Sequence, residues 1–119
     1  MRYIFISLGG GLGALSRYFI SLSIPLFAFF PYATLTVNLI GSFILGFLSF
    51  LYFHKKQLLK ACLTTGFLGS FTTYSAFSLE VLELIQIGRL QTAIIYICLS
   101  IGGGILLAFF GSFLARRFE

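Results

Sequence analysis

Residues Gly66–Glu80 read G-F-L-G-S-F-T-T-Y-S-A-F-S-L-E, a run dense in Gly, Thr and Ser within an otherwise apolar stretch. Lipid offers no partner for a free backbone group or a hydroxyl, so such a run persists at membrane depth only where protein or an aqueous path covers it. It marks a place where polar groups are needed in mid-membrane, and the need that fits best is to handle an ion. Two readings of the run stand side by side. Hydroxyls of Thr72, Thr73, Ser75 and Ser78 that bond back to carbonyls would give a kinked but continuous helix. A true break would free carbonyl oxygens to hold a cation and N–H groups to face an anion.

The rest of the chain sets the class. It has 119 residues, of which 59% are hydrophobic and 9% are charged, where a soluble domain carries about 25% charged residues. This is an all-α integral membrane protein with room for one small bundle and no separate soluble domain. A helical crossing takes about 20 apolar residues. Pro25 and Pro31 mark a loop, and the apolar stretches then give four spans near Tyr3–Ser23, Tyr32–Phe53, Leu58–Ile87 and Leu90–Ala115. The third is long because part of it is expected to be broken. Residues 1–119 thus read as a single four-helix domain. No convincing cleavage site and mature domain follow the first span, so it reads as a retained helix and not as a signal peptide.

Charge lies at the membrane edges. The net charge of +5 does not point to nucleic acid, because the cations flank the spans. With four spans, both termini share a side with the loop between spans two and three. That side collects Arg2, Lys55, Lys56, Lys60, Arg116 and Arg117, and the other has only Arg89 in its loops. Arg17, within a span, is left out. The bias predicts that both termini are cytoplasmic and that the protein is a multi-pass protein of the cell membrane. His54 beside Lys55 reads as an interfacial residue, and Cys62 and Cys98, in separate spans, read as small packing residues.

Small residues recur at helical spacing. Gly9-x-x-x-Gly13 puts two glycines on one face, where another helix can approach closely. The overlapping Gly9-x-Gly11-x-x-Ala14 lacks the strand and the acid of a dinucleotide fingerprint. Span two carries Asn38, Ser42, Gly46 and Ser49 on one stripe. Asn38 either bonds across a helix interface or offers amide N–H groups to a permeating anion, and spacing does not choose between the two. In span four, Tyr96, Ser100 and Gly104 share a face. Tyr74 and Phe77 lie three apart, and their electropositive ring edges suit the wall of an anion path.

The Gly66–Glu80 string closely resembles the signature of the Fluc (CrcB-type) fluoride channels. G-G-G-L-G-A-L-S-R-Y at Gly9–Tyr18 and T-L-T-V-N-L-I-G-S-F at Thr34–Phe43 resemble two further motifs of that family, in the same order. The resemblance implies a dimer of oppositely oriented subunits with a broken third span. It implies a structural sodium ion held by backbone carbonyls, here those of Gly69 and Thr72, and two fluoride pathways along the dimer interface. It places Asn38, Tyr74, Phe77, Tyr96 and Ser100 on a pathway, with Thr73 and Ser78 as neighbouring hydroxyls and Arg17 and Glu80 as charges near the pore entrances. Two positions depart from the family pattern. Tyr74 stands where Phe is usual, and Gly104 where a hydroxyl is usual.

The expected function is passive efflux of fluoride, which lowers its cytoplasmic concentration and toxicity. A chain that inserts both ways should have balanced charge, and this one does not, so a homologous second subunit of opposite bias is expected in preference to a homodimer. A small proton-coupled exporter would need a carboxylate deep in the membrane, whereas Glu80 and Glu83 lie toward the end of span three. A non-conducting assembly subunit would be explained by the small-residue stripes alone. No base lies near a nucleophile, so an enzyme is not expected.

Overall fold

Proline and glycine place the turns. The computed structural model describes residues 1–25, 29–51 and 56–118. Helix α1 (Arg2–Ser23) stops at Ile24, which is extended with φ −107° and ψ 102°, because the ring of Pro25 disfavours a helical residue before it. Helix α2 (Tyr32–Phe50) begins directly after Pro31. The third apolar stretch is divided into α3 (Gln57–Ala61), a π-helical stretch (Cys62–Leu68), α4 (Gly69–Phe71) and α5 (Tyr74–Gln86). α5 ends at Gly88, whose φ is +79°. The Gly88 N–H donates to the Ile85 carbonyl at 3.1 Å and the Arg89 N–H to the Leu84 carbonyl at 2.8 Å. That pair of bonds is a Schellman motif, which needs the left-handed residue that glycine supplies. Helix α6 (Leu90–Ala115) follows.

α1, α2 and α6 are long and apolar enough to cross a membrane. They follow the expected spans closely, except that α2 ends at Phe50. Phe53, His54 and Lys55 lie outside the described residues. Within the third stretch the longest single element is α5, with 13 residues, about 20 Å of helix at about 1.5 Å per residue.

Glycines join the helices in two pairs. In the first, α1 lies against the π-helical stretch and α4. A Cβ on Gly9 or Gly13 would collide with the carbonyl of Cys62 or Phe67, and one on Gly66 with the carbonyl of Ile6. In the second, α2 lies against α6. A Cβ on Gly46 would strike the Ala108 carbonyl, and one on Gly111 the Phe43 carbonyl. Such contacts allow backbones to approach as they do between membrane helices, where packing, and not exclusion from water, drives association. Both pairs run parallel. Ile6 faces Gly66 while Gly10 faces Ser70, and Leu39 faces Gly103 while Phe43 faces Gly111.

Parallel pairing sorts the ends of the bundle. The start of α1, the start of α3 and the ends of α2 and α6 share one end. Arg2, Lys56, Lys60, Arg116 and Arg117 therefore gather there. The Arg116 guanidinium lies 4.5 Å from the Phe50 ring centre and that of Arg117 5.6 Å from the Phe113 ring centre. At the opposite end Arg89 stacks 4.4 Å over Phe29 and links the two loops.

Gly46→Ala places its methyl against backbone, which cannot swing aside, so it should lower stability by about 1–3 kcal/mol. Gly11→Ala, with open space at that position, should leave stability unchanged or raise it by up to about 1 kcal/mol. Thermal unfolding of the two purified variants in detergent checks both.

Candidate functional site

The helical path is interrupted after α4. Thr72 is extended with ψ 156°, and so is Thr73 with φ −146° and ψ 121°. In an unbroken helix the Thr73 N–H would donate to the Gly69 carbonyl. Here it donates to Asn38 Oδ1 at 2.8 Å, and Asn38 Nδ2 donates to the Thr73 carbonyl at 2.9 Å. A side-chain amide has a donor and an acceptor side by side, so it can satisfy both backbone groups of one residue. The two bonds fix which way the amide points. Nδ2 keeps a second hydrogen.

Thr73 also restarts the helix. Its Oγ1 accepts from the Ala76 N–H at 3.2 Å, the N-cap bond of α5. The Thr72 hydroxyl donates to the Leu68 carbonyl at 3.0 Å. The resemblance assigns the carbonyls of Gly69 and Thr72 to the broken segment, but Gly69 itself is helical, with φ −61° and ψ −28°. The interruption falls later because Asn38 engages Thr73.

Beside this interruption lies a cavity of about 440 Å³. It brings together Asn38, Thr73, Tyr74, Phe77 and Ser100 of the expected pathway, with Gly69 and Thr72 of the expected cation site, and adds Ser42. The Ser100 hydroxyl oxygen is buried with no hydrogen-bond partner among the described residues. The Tyr74 and Phe77 rings are tilted by 38° with centres 6.0 Å apart. Tyr74 is 81% exposed, so one wall of the cavity is open in the single chain.

The other expected residues lie elsewhere. Ser78 is exposed, and its hydroxyl donates to the Tyr74 carbonyl at 2.9 Å. Tyr96 is fully buried, and its hydroxyl donates to Glu80 Oε2 at 2.7 Å, while Thr34 donates to Glu80 Oε1 at 2.6 Å. Glu80 thus ties α2, α5 and α6 together through two neutral donors, and it lines a second hollow of about 350 Å³ with Glu83. Arg17 lines a third, of about 170 Å³, with Thr34 and Thr73. Sequence reasoning passed over Thr34 as a partner of Glu80, although Thr34, Asn38 and Ser42 repeat every four residues along α2. That period was the available signal.

Apolar helices packed through glycines, with a largely apolar cavity that carries a few polar side chains at an interrupted segment, define a small multi-pass membrane protein. The family model for the CrcB-like protein, Camphor Resistance (CrcB), matches residues 4–112. The chain belongs to this CrcB family. It is 43% identical over 114 residues to fluoride-specific ion channel FluC 2 of Staphylococcus saprophyticus, covering 93% of each chain. It is 42% identical over 115 residues to fluoride-specific ion channel FluC 1 of Bacillus cereus, covering 92% of this chain and 83% of the relative. It is 40% identical over 122 residues to fluoride-specific ion channel FluC 2 of Listeria innocua, covering 100% of this chain and 91% of the relative.

Tyr96→Phe removes one of the two donors to Glu80 and leaves a half-buried carboxylate oxygen unsatisfied. The expected cost is about 1–3 kcal/mol, read as a lower unfolding midpoint in detergent.

Proposed function

We propose that this chain is a subunit of a fluoride-specific ion channel of the cell membrane, giving passive efflux that lowers cytoplasmic fluoride. The relatives' names supply the ion. The observation that carries the physical case is the cavity lined by Asn38, which keeps a spare Nδ2–H, together with Ser42, Ser100, Tyr74 and Phe77. Fluoride is small and strongly hydrated, so it sheds water only where donors replace it. Neutral donors hold it weakly enough for it to leave again. Conduction of this kind makes or breaks no bond, and the chain is not an enzyme.

Residues Gln57–Gln86 read as one interrupted crossing, which gives four in all. The open wall at Tyr74 supports a second subunit, inserted in the opposite orientation, that completes two pathways at the interface. Tyr96, Ser78 and Thr73 belong to the pathway in this proposal, with Arg17 and Glu80 toward its ends. A structural, non-transported sodium ion suits the backbone carbonyls of Gly69 and Thr72. Gly69 has lost the N–H that a continuous helix would give it, and Thr72 is extended. Carbonyls of unwound membrane helices are apt ligands for sodium. The cations at one end of the bundle favour cytoplasmic termini and a homologous partner of opposite charge bias.

Fluoride efflux from liposomes tests the proposal, with and without sodium, for this chain alone and mixed with such a homologue. Sodium-dependent, fluoride-selective efflux is expected, from the mixture above all. Chloride passing as readily as fluoride would end the channel assignment.

Asn38→Asp keeps the acceptor for the Thr73 N–H but turns the donor into a second acceptor facing the Thr73 carbonyl. It also puts a carboxylate on the anion path. Efflux should be abolished, and retained flux would remove Asn38 from the pathway.

A further inference from the structure

We propose that Ser42 is an additional anion ligand of the cavity, its α2 hydroxyl supplying the donor that α6 lacks at Gly104. This rests on the channel assignment above. Ser42 lies one turn beyond Asn38 on α2, and Gly104 one turn beyond Ser100 on α6. Residues four apart share a helix face. Asn38, Ser42 and Ser100 all line the same cavity.

The geometry across the two helices is specific. A Cβ built on Gly104 would sit 3.4 Å from Ser42 Oγ. The Ser42 hydroxyl therefore projects from α2 toward the space that a side chain at position 104 would occupy. One turn earlier on α6, the Ser100 hydroxyl oxygen is buried with no partner among the described residues. A buried hydroxyl without a partner is rare and calls for an unseen one. Ser100 thus lies level with Asn38, and Ser42 extends their donor line by about one helical turn of 5.4 Å. An anion leaving the spare Asn38 N–H would meet the neutral Ser42 hydroxyl one turn on.

Ser42 as a mere packing residue is the competing explanation. Between two closely packed helices alanine would serve that purpose equally well, so the hydroxyl alone separates the two roles. The experiment uses proteoliposomes of whichever preparation conducts unaltered, the chain alone or with its homologous subunit. Ser42→Ala should lower fluoride efflux about tenfold, the loss expected for one hydrogen bond to a charged group. Its elution profile and unfolding midpoint should stay the same. Ser42→Ala combined with Gly104→Ser returns a hydroxyl to the same space from the opposite helix. Efflux should recover to within about threefold, since the two positions are coupled neighbours. Unchanged efflux from Ser42→Ala overturns the inference and leaves the channel assignment standing. A loss that Gly104→Ser does not restore assigns Ser42 to packing and also overturns it. Absence of fluoride efflux from both unaltered preparations removes the channel assignment and the inference with it.

Discussion

The pairing of the Asn38 amide with the backbone of Thr73 is the constraint on which the site depends. Leaving a helix inside a bilayer strands N–H and C=O groups, and each costs several kcal/mol if nothing replaces the lost bond. Asn38 replaces both bonds of one residue at once. A carboxylate offers only acceptors and an aliphatic side chain offers neither group, so an amide is the economical solution at this depth. Once Thr73 is held, its own hydroxyl caps α5. The direction in which α5 leaves, and the cavity between it and α2, follow from that one contact.

Glycine contacts supply the frame that brings Asn38 to Thr73. α2 is held against α6 through Gly46 and Gly111, and α1 against the π-helical stretch through Gly13 and Gly66. The two pairs meet in the cluster of Val37, Leu68 and Phe71. The π-helical stretch lies directly before the interruption. Such wide turns occur mostly at functional sites, and here Thr64 within it bonds back to the Lys60 carbonyl at 2.8 Å. A second fastening, Thr34 and Tyr96 on Glu80, links α2, α5 and α6 beside the second hollow. Two polar clamps a single turn apart on α2, Asn38 and Thr34, thus hold the α5 segment at Thr73 and at Glu80.

Much of this was legible in the sequence, and the limits have physical causes. α1, α2 and α6 follow from long apolar runs, and the turn between α1 and α2 from Pro25 and Pro31, because those signals are local. The polar run at Gly66–Glu80 announced where regular helix becomes costly. It could not fix the residue at which the helix stops, since a contact 35 positions away decides that. The same holds for Glu80. As a sequence character it is a charge near a span end, whereas in the fold it accepts two hydroxyls. The two possibilities left open for Asn38 are not exclusive, because the cross-helix bonds use one Nδ2 hydrogen and leave a second on a residue that lines the cavity.

Parallel helix pairing carries a consequence for assembly. It puts Arg2, Lys56, Lys60, Arg116 and Arg117 at one end of the bundle, with Arg89 and Glu83 at the other. Arg116 and Arg117 rest on the rings of Phe50 and Phe113, which suits the membrane–water boundary, where aromatic and cationic groups anchor helices. A chain with such an asymmetric distribution favours one insertion direction. An oppositely oriented copy of itself would have to place its cationic end against that preference. A homologous chain with the reverse bias meets no such penalty, and it could cover the open wall at Tyr74 with side chains of its own. The open wall at Tyr74 would be covered by a second subunit of either kind, so in the proposed assembly the charge pattern alone separates a homologous chain from a second copy.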